Sequence, residues 1–334
     1  MPESSRVPSE AEVRGNLIAP PVRRHAWINI VGPLAAVFIG IFGAAFYLHP
    51  IGTLRWLQTT RLGWSGVTQS EIGLDAGLMT YFMTGGYWDQ APVVMIHGVG
   101  LDAALVWRGV MKPISEAHFK VIAPNLMGFA SSEHRQTNHS IAYQAAAIAQ
   151  LIDQLKLEHL SLIASDVGAD VALYYAVDHP GKVERLVLVS GGLMGAANAE
   201  KLKKGLLPNT AEAMQAALAA SFYGMPPLPQ FMYDRMIAAL ANDMSAQTDM
   251  LNSISKDEAH IRSRLGQIFN TLTIIMWGGK NPYFGAAQGE ALHAALPGSA
   301  TVVFKTSGPF PQLEHPDDFA ESIIFILKQV EGGQ

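Results

Sequence analysis

The sequence predicts an α/β fold in which a mostly parallel sheet is flanked by helices. From about residue 69 onward, short β-type runs alternate with helical patterns. Most of these runs are continuously apolar, as expected for strands buried on both faces. At 334 residues the chain can hold one large domain with additions. We predict strands at Leu78–Met83, Val93–Ile96, Val121–Ala123, Leu160–Ala164, Arg185–Ser190, Thr271–Trp277 and Thr301–Lys305.

The alternation stops between residues 192 and 266, where a helical, methionine-rich stretch replaces it. We interpret 192–266 as a helical lid inserted into an α/β core formed by 69–191 and 267–334. Methionine is flexible and polarizable, so such a lid can face an acyl chain, a membrane or a partner protein. The alternative is that the methionines only fill the core of the lid.

The N-terminal segment predicts a membrane anchor. Residues 1–26 are polar and indicate a flexible tail. Residues 27–48 carry no charge and are long enough for a transmembrane helix, and 49–68 form a juxtamembrane segment. A cleaved signal peptide fits less well, because its apolar stretch is shorter and ends at small residues. Four arginines before the span and two after it place the folded part outside the cytoplasm, on the periplasmic side of a bacterial inner membrane.

The amino-acid composition indicates which classes of partner the protein can bind. Charged residues make up 15% and apolar residues 49%, which favours membrane lipid and a membrane-protein partner or complex. A nucleic-acid partner is not expected, since the net charge is −5 and no basic cluster is present. The chain has no cysteine, so it has no disulfide and no thiolate ligand, and we expect no metal and no cofactor.

The candidate catalytic turn follows the predicted strand Leu160–Ala164. A nucleophile elbow has the pattern G-x-S-x-G, with small residues on both sides because the backbone is crowded. Here Ala164 and Gly168 are the small residues, so the elbow position is Asp166. A register with Ser165 as nucleophile would require small residues at Ile163 and Val167, and it fails sterically.

A second turn follows the strand Val93–Ile96 and contains His97 and Gly98. In the hydrolase pattern, the residue after His-Gly and the residue after the nucleophile donate backbone N–H groups to an oxyanion hole. Val99 and Val167 occupy these positions. Because the donors are backbone groups, the hole can survive changes of side chain. We interpret His97 as a structural turn residue.

With these motifs the chain resembles α/β-hydrolases, in particular membrane-anchored monoacylglycerol lipases and related bacterial lipases. The segments that carry the resemblance are MIHGVG, VIAPNLMGFASSE, LIASDVGADVAL, HPGKVERLVLVSGG, LLPNTAEAM, WGGKNP and SGPFPQLEHPDDF. They span roughly residues 69–330 in the order of that family. The resemblance implies an α/β-hydrolase fold with an inserted lid.

The same resemblance implies that the catalytic triad is substituted. The nucleophile position holds Asp166, the acid position Asn281 and the histidine position Pro309. An aspartate can act as a nucleophile, and similar hydrolases of epoxides and haloalkanes use one. The resulting ester must be hydrolysed by a water that a base deprotonates, and proline is not a base.

The sequence therefore predicts a catalytically degenerate hydrolase-fold protein that acts in binding or assembly, as an accessory subunit of a membrane complex or as a lipid-pocket protein. The alternative is an active hydrolase of lipid-like esters or epoxides with Asp166 as nucleophile. That alternative needs an unrecognised base such as His260, and its epoxide version also needs ring-opening lid tyrosines such as Tyr223 or Tyr233. We also predict that the Asp166 carboxylate is held in its own oxyanion hole.

Overall fold

A computed structural model of the chain describes residues 28–86, 90–135, 137–283 and 285–329. The predicted tail, 1–26, lies outside the described residues. The chain divides into two compact units, the first ending at Phe46 and the second beginning at Tyr47. The apolar run is helical over Ile28–Leu48 (α1). Within the described residues, no helix has both the length and the apolarity that crossing a membrane requires, so the predicted transmembrane helix at 27–48 is not confirmed.

The second unit is built on an eight-stranded sheet in the order β1-β2-β4-β3-β5-β6-β7-β8. β1 and β2 pair antiparallel, as do β2 and β4, and all other neighbours are parallel. The predicted mostly parallel sheet is thus confirmed. The strands are β1 Val67–Leu74, β2 Gly77–Thr84, β3 Val93–Ile96, β4 Val121–Pro124, β5 Leu160–Ser165, β6 Val183–Val189, β7 Leu272–Gly278 and β8 Ala300–Phe304.

Helices cover both faces of the sheet, as expected for strands that are apolar on both sides. One buried cluster packs α5 and α6 against the sheet, and a second packs α3, α4 and α13 against the opposite face. The helices outside the lid are α2 Pro50–Trp64, α3 Ala103–Trp107, α4 Met111–Glu116, α5 Ile141–Gln154, α6 Gly168–Asp178, α11 Ala286–Ala295, α12 Pro311–Glu314 and α13 Pro316–Lys328.

The predicted lid segment lies between β6 and β7 and contains four helices followed by a short 3₁₀ turn. Thr210 begins the second of these helices by accepting a hydrogen bond from the backbone N–H of Ala213. Met214 and Met250 are buried, whereas Met236 is only half-buried. The lid helices are α7 Gly195–Leu206, α8 Ala211–Ser221, α9 Gln230–Leu240 and α10 Met244–Arg264.

The strand that sequence reasoning missed is β1. Its sequence is VTQSEIGL, and only its two end residues are buried. β1 lies at the edge of the sheet, where half of its surface meets solvent, so its polar composition hides it from a search for apolar runs. Its register with β2 runs without interruption from Val67↔Thr84 to Leu74↔Gly77.

Candidate active site

Asp166 lies at the sharp turn between the central strand β5 and helix α6. Its backbone has φ +55°, in the left-handed region that side chains other than glycine rarely adopt. Ser165 is the last residue of β5, fully buried, and its hydroxyl has no hydrogen-bond partner among the described residues. The elbow geometry therefore falls on Asp166, in agreement with the register inferred from the sequence.

Small residues allow the turn to pack. Ala164 on β5 is paired with Ile96 on β3, which brings the ends of the two strands together. A side chain at Gly98 would place its Cβ 2.6 Å from the Cβ of Asp166, and one at Gly168 would collide with the carbonyl oxygen of His97. The two glycines thus let the His97-Gly98 turn lie directly against the elbow.

The Asp166 carboxylate is bound by backbone N–H groups at the elbow. Its Oδ2 accepts the backbone N–H of Val99 at 3.1 Å. Burial raises the pKa of Asp166 to about 7, while backbone N–H groups of Val99 and Val167 act in the opposite direction. Both predicted donors therefore point to the carboxyl group, but they only partly offset the loss of hydration.

His97 is fully buried, and both of its ring nitrogens form hydrogen bonds. Its Nε2 accepts the backbone N–H of Leu126 at 3.0 Å, which requires the proton to be on Nδ1. Nδ1 then donates to the carbonyl oxygen of Gly98 at 2.7 Å. Burial lowers the pKa of His97, so the neutral ring is favoured. These contacts fit a structural turn residue.

Two further loops carry the residues assigned to the acid and histidine positions. Asn281 follows β7, is buried, and accepts the backbone N–H of Tyr283 at 3.0 Å through Oδ1. Pro309 is buried between β8 and α12. The loops lie side by side: Lys280 donates its backbone N–H to Ser307 at 2.8 Å, and a Cβ on Gly278 would collide with the carbonyl oxygen of Gly308.

Glu314 fixes the loop that contains Pro309. One carboxylate oxygen accepts the hydroxyl of Ser307 at 3.0 Å and the backbone N–H of Gly308 at 2.8 Å. The other accepts the backbone N–H of Tyr223, in the lid, at 2.7 Å. The loop is therefore held in place without a histidine.

An apolar cavity of about 670 Å³, including its opening to solvent, lies under the lid. At one end it is lined by Val99 and Phe310, the residue after Pro309. Among the lining residues that the structure describes, Arg55 alone carries a charge. The remaining lining is mostly aliphatic and comes from α2, α3 and the lid, with Ile51, Leu101, Leu105, Leu206, Pro208, Met214, Ala217, Leu218, Ser221, Phe222, Met236, Ala239 and Leu240 among its members.

Comparison with known proteins decides the family. A sequence profile described as alpha/beta hydrolase fold matches residues 91–316. The chain belongs to the α/β-hydrolase fold family. It is 27% identical to 2-hydroxy-6-oxononadienedioate/2-hydroxy-6-oxononatrienedioate hydrolase 2 of Pseudomonas putida, over 71% of this chain and 87% of that protein. It is 25% identical to an uncharacterized protein of Mycobacterium tuberculosis, over 69% of this chain and 73% of that protein.

Solved structures show the same α/β-hydrolase fold. A bacterial membrane phospholipase A superposes with a TM-score of 0.70 at 22% identity, over 89% of this chain and 98% of that one. A haloalkane dehalogenase of Bradyrhizobium elkani superposes with a TM-score of 0.64 at 19% identity, over 78% of this chain and 97% of that one. The resemblance to the hydrolase-fold superfamily that the motifs indicate is thus confirmed.

α/β-Hydrolases that cleave esters use a histidine near the elbow as the base. In the described part of this chain, His97 lies at the elbow, but both of its ring nitrogens are already hydrogen-bonded. All histidines except His25 lie among the described residues, and none lines the cavity. His260 bonds to Asp178 at 2.8 Å, at the far end of α6. Eleven helical residues separate that end from the elbow, roughly 15–18 Å at 1.5 Å per residue.

The lid tyrosines named from the sequence do not face Asp166. Tyr223 is 58% exposed, and Tyr233 is buried in a small cluster of the lid, where its hydroxyl accepts the backbone N–H of Leu228. Sequence reasoning missed Tyr283 instead. Burial raises the pKa of Tyr283, the hydrogen bond from Ser221 lowers it, and the negative charge of Asp166 adds to the rise. The signal that could have found it is its place two residues after the acid position.

Proposed function

We propose that the chain is a non-hydrolytic member of the α/β-hydrolase fold that binds a single apolar chain in the cavity under its lid. One observation carries this proposal: the Asp166 carboxylate accepts the Val99 N–H, which in a hydrolase would receive the oxygen of the reacting carbonyl. An ester carbonyl would have to displace a group of the protein from its own oxyanion hole.

Two features of the cavity support binding without hydrolysis. The described lining contains no histidine, aspartate or glutamate that could deprotonate a water. Its wall is mostly aliphatic, as in ordinary ligand pockets. The substitutions at Asn281 and Pro309 agree with this proposal, as assigned by the resemblance.

Attachment to a membrane, with the folded domain on the periplasmic side, is part of the same proposal. It is supported by the uncharged sequence of residues 27–48 and by Trp56 and Trp64 on α2, which are 56% and 86% exposed. Resistance of the full chain to carbonate extraction from native membranes tests the attachment, and release by carbonate would contradict it. A membrane-protein partner is tested by a pull-down of the full chain in mild detergent. The proteins captured by the wild type are compared with those captured by the Trp64→Ala variant.

The decisive experiment measures turnover that depends on Asp166. The full chain and its Asp166→Ala variant are assayed with p-nitrophenyl butyrate, p-nitrophenyl octanoate and an aliphatic epoxide. We expect equal background rates, with Asp234→Ala, an exposed carboxylate on α9, as the matched control. Turnover that disappears only in Asp166→Ala would refute the proposal. Ligand binding is measured separately, by native mass spectrometry of chain purified from membranes.

A second candidate is an aspartate-nucleophile hydrolase, favoured by the left-handed backbone of Asp166 and by the nearby Tyr283. In that chemistry a carboxylate oxygen of Asp166 attacks an epoxide carbon, the carbon–oxygen bond breaks, and a tyrosine protonates the leaving oxygen. Incubation with the epoxide followed by peptide mass analysis detects the ester. A covalent adduct on Asp166 would move the assignment to this candidate, and an unmodified peptide would exclude it.

A further inference from the structure

One hydrogen-bond donor of the cavity lining is already in use. Val99, whose N–H is bound to Asp166, lines the cavity together with Ser221. The Ser221 hydroxyl lies 3.4 Å from the hydroxyl of Tyr283, and the Tyr283 hydroxyl donates to the carbonyl oxygen of Ala217 at 3.3 Å. In an ester hydrolase, backbone N–H groups of this kind receive a carbonyl oxygen. Here a carboxyl group has taken the Val99 donor.

The charges around the cavity sum to a negative value. Arg55 forms ion pairs with Asp102 and with Asp243, the latter at 3.5 Å, and both carboxylates are buried. The single positive charge of Arg55 therefore lies beside two negative charges, and Asp166 is a third acidic group in this region. His134, which lies 3.2 Å from the second oxygen of Asp243, is 38% exposed and faces away from the described lining. An anionic head group would meet repulsion from this arrangement and would find no unmatched cation in the described lining.

We propose that the cavity selects a single-chain amphiphile whose head group carries no negative charge, such as an alcohol or an amine, and rejects the carboxylate of a fatty acid. The inference rests on the proposed function, because it assigns a ligand class to the same cavity. The aliphatic wall binds the chain. Asp166 is not itself a lining residue, but it is bound to the N–H of Val99, which is, so its carboxylate acts on the head group through its charge.

The protonation of Asp166 sets the strength of this selection. Its neighbours are Tyr283 in the loop after β7, Asp170 on α6 and His97 in the turn after β3. Burial and the charge of Glu258 raise the pKa of Asp170 well above its usual range, and burial lowers that of His97, so both shifts favour the neutral forms. Asp166, with a pKa of about 7, is the neighbour that changes charge near neutrality. Selection against anions strengthens above pH 7.

The test uses three probes with the same eight-carbon chain: 1-octanol, octylamine and octanoate. Dissociation constants for the full chain in one sugar-based detergent are measured at pH 8 by ligand-observed NMR. We expect octanol and octylamine to bind at least about tenfold more tightly than octanoate, since a like charge at short range in a partly buried site exceeds that ratio. At pH 5.5 the ratio falls, because Asp166 is then mostly protonated while octanoate is still largely ionised.

Asp166→Asn separates the head-group effect from partitioning into detergent, which is the same for both proteins. In this variant the octanoate constant at pH 8 improves at least about fivefold, whereas the octanol constant changes by less than about twofold. Asp234→Asn removes the same charge from an exposed site and leaves all three constants unchanged. Equal binding of octanoate and octanol to the wild type, or an unchanged ratio in Asp166→Asn, overturns the inference alone. If none of the probes binds, the proposed function fails with it.

Discussion

We expect the replacement of Asp166 by asparagine to stabilise the protein at neutral and alkaline pH but not at acidic pH. The amide keeps an oxygen for the Val99 N–H but cannot ionise. Each pKa unit corresponds to about 1.4 kcal/mol, so the rise from 3.8 to about 7 corresponds to about 4 kcal/mol. The sign follows from linkage: the folded state holds the proton more tightly than the unfolded state, so the free energy of unfolding decreases as pH rises.

The pH window follows from the same two pKa values. Below about pH 4 Asp166 is protonated in both states, and it costs no stability. Between about pH 4 and pH 7 the cost increases, and above pH 7 it is constant. We therefore expect Asp166→Asn to differ from wild type by less than about 1 kcal/mol at pH 4 and to be more stable by about 2–4 kcal/mol at pH 8.

Urea unfolding of the full chain in detergent, followed by tryptophan fluorescence, measures both values. Asp234→Asn is the control for a loss of charge on an exposed helix, and its effect should be small at both pH values. A variant that is less stable than wild type at pH 8 would refute the reasoning. It would mean that the N–H groups of Val99 and Val167 outweigh the loss of hydration.

Three further variants test the site. The triple change Asp166→Ser, Asn281→Asp and Pro309→His should produce measurable hydrolysis of p-nitrophenyl butyrate, because the Val99 N–H is already in place, and a folded but inactive triple variant would show that the cavity has diverged as well. Gly98→Ala should lower the free energy of unfolding by about 1–3 kcal/mol, as overpacking does, since its Cβ would lie 2.6 Å from that of Asp166, and an unchanged melting temperature would contradict this contact. Arg55→Met should cost up to about 3 kcal/mol by removing the cation that two buried carboxylates share, measured by urea unfolding, and a neutral effect would mean that the ion pairs are not formed.

Most of the sheet could be predicted from the sequence because most of its strands are runs of mainly apolar residues. All seven predicted strands are present, with ends that differ by at most two residues. The elbow was predictable for a different reason: Ala164, Gly168 and Gly98 are small where the backbone is crowded. Small residues at such positions can be recognised in the sequence because each one satisfies a local steric requirement.

Arg55 was beyond sequence reasoning because its partners are distant in the chain. Arg55 pairs with Asp102 and Asp243, which are 47 and 188 residues away. The raised pKa of Asp166 was also beyond sequence reasoning, because it depends on burial that only the folded chain provides. The membrane anchor and the roles of Asn281 and Pro309 remain predictions.

The ion pairs of Arg55 couple the position of helix α2 to the position of the lid. Asp102 belongs to the core, where it caps α3 by accepting the N–H of Leu105, and Asp243 stands at the start of the long lid helix α10. Movement of either element away from the other breaks a contact of the same guanidinium group. By thermodynamic reciprocity, a ligand that binds better when the lid is displaced also loosens α2, and whatever holds α2 in place changes the affinity for that ligand by the same factor.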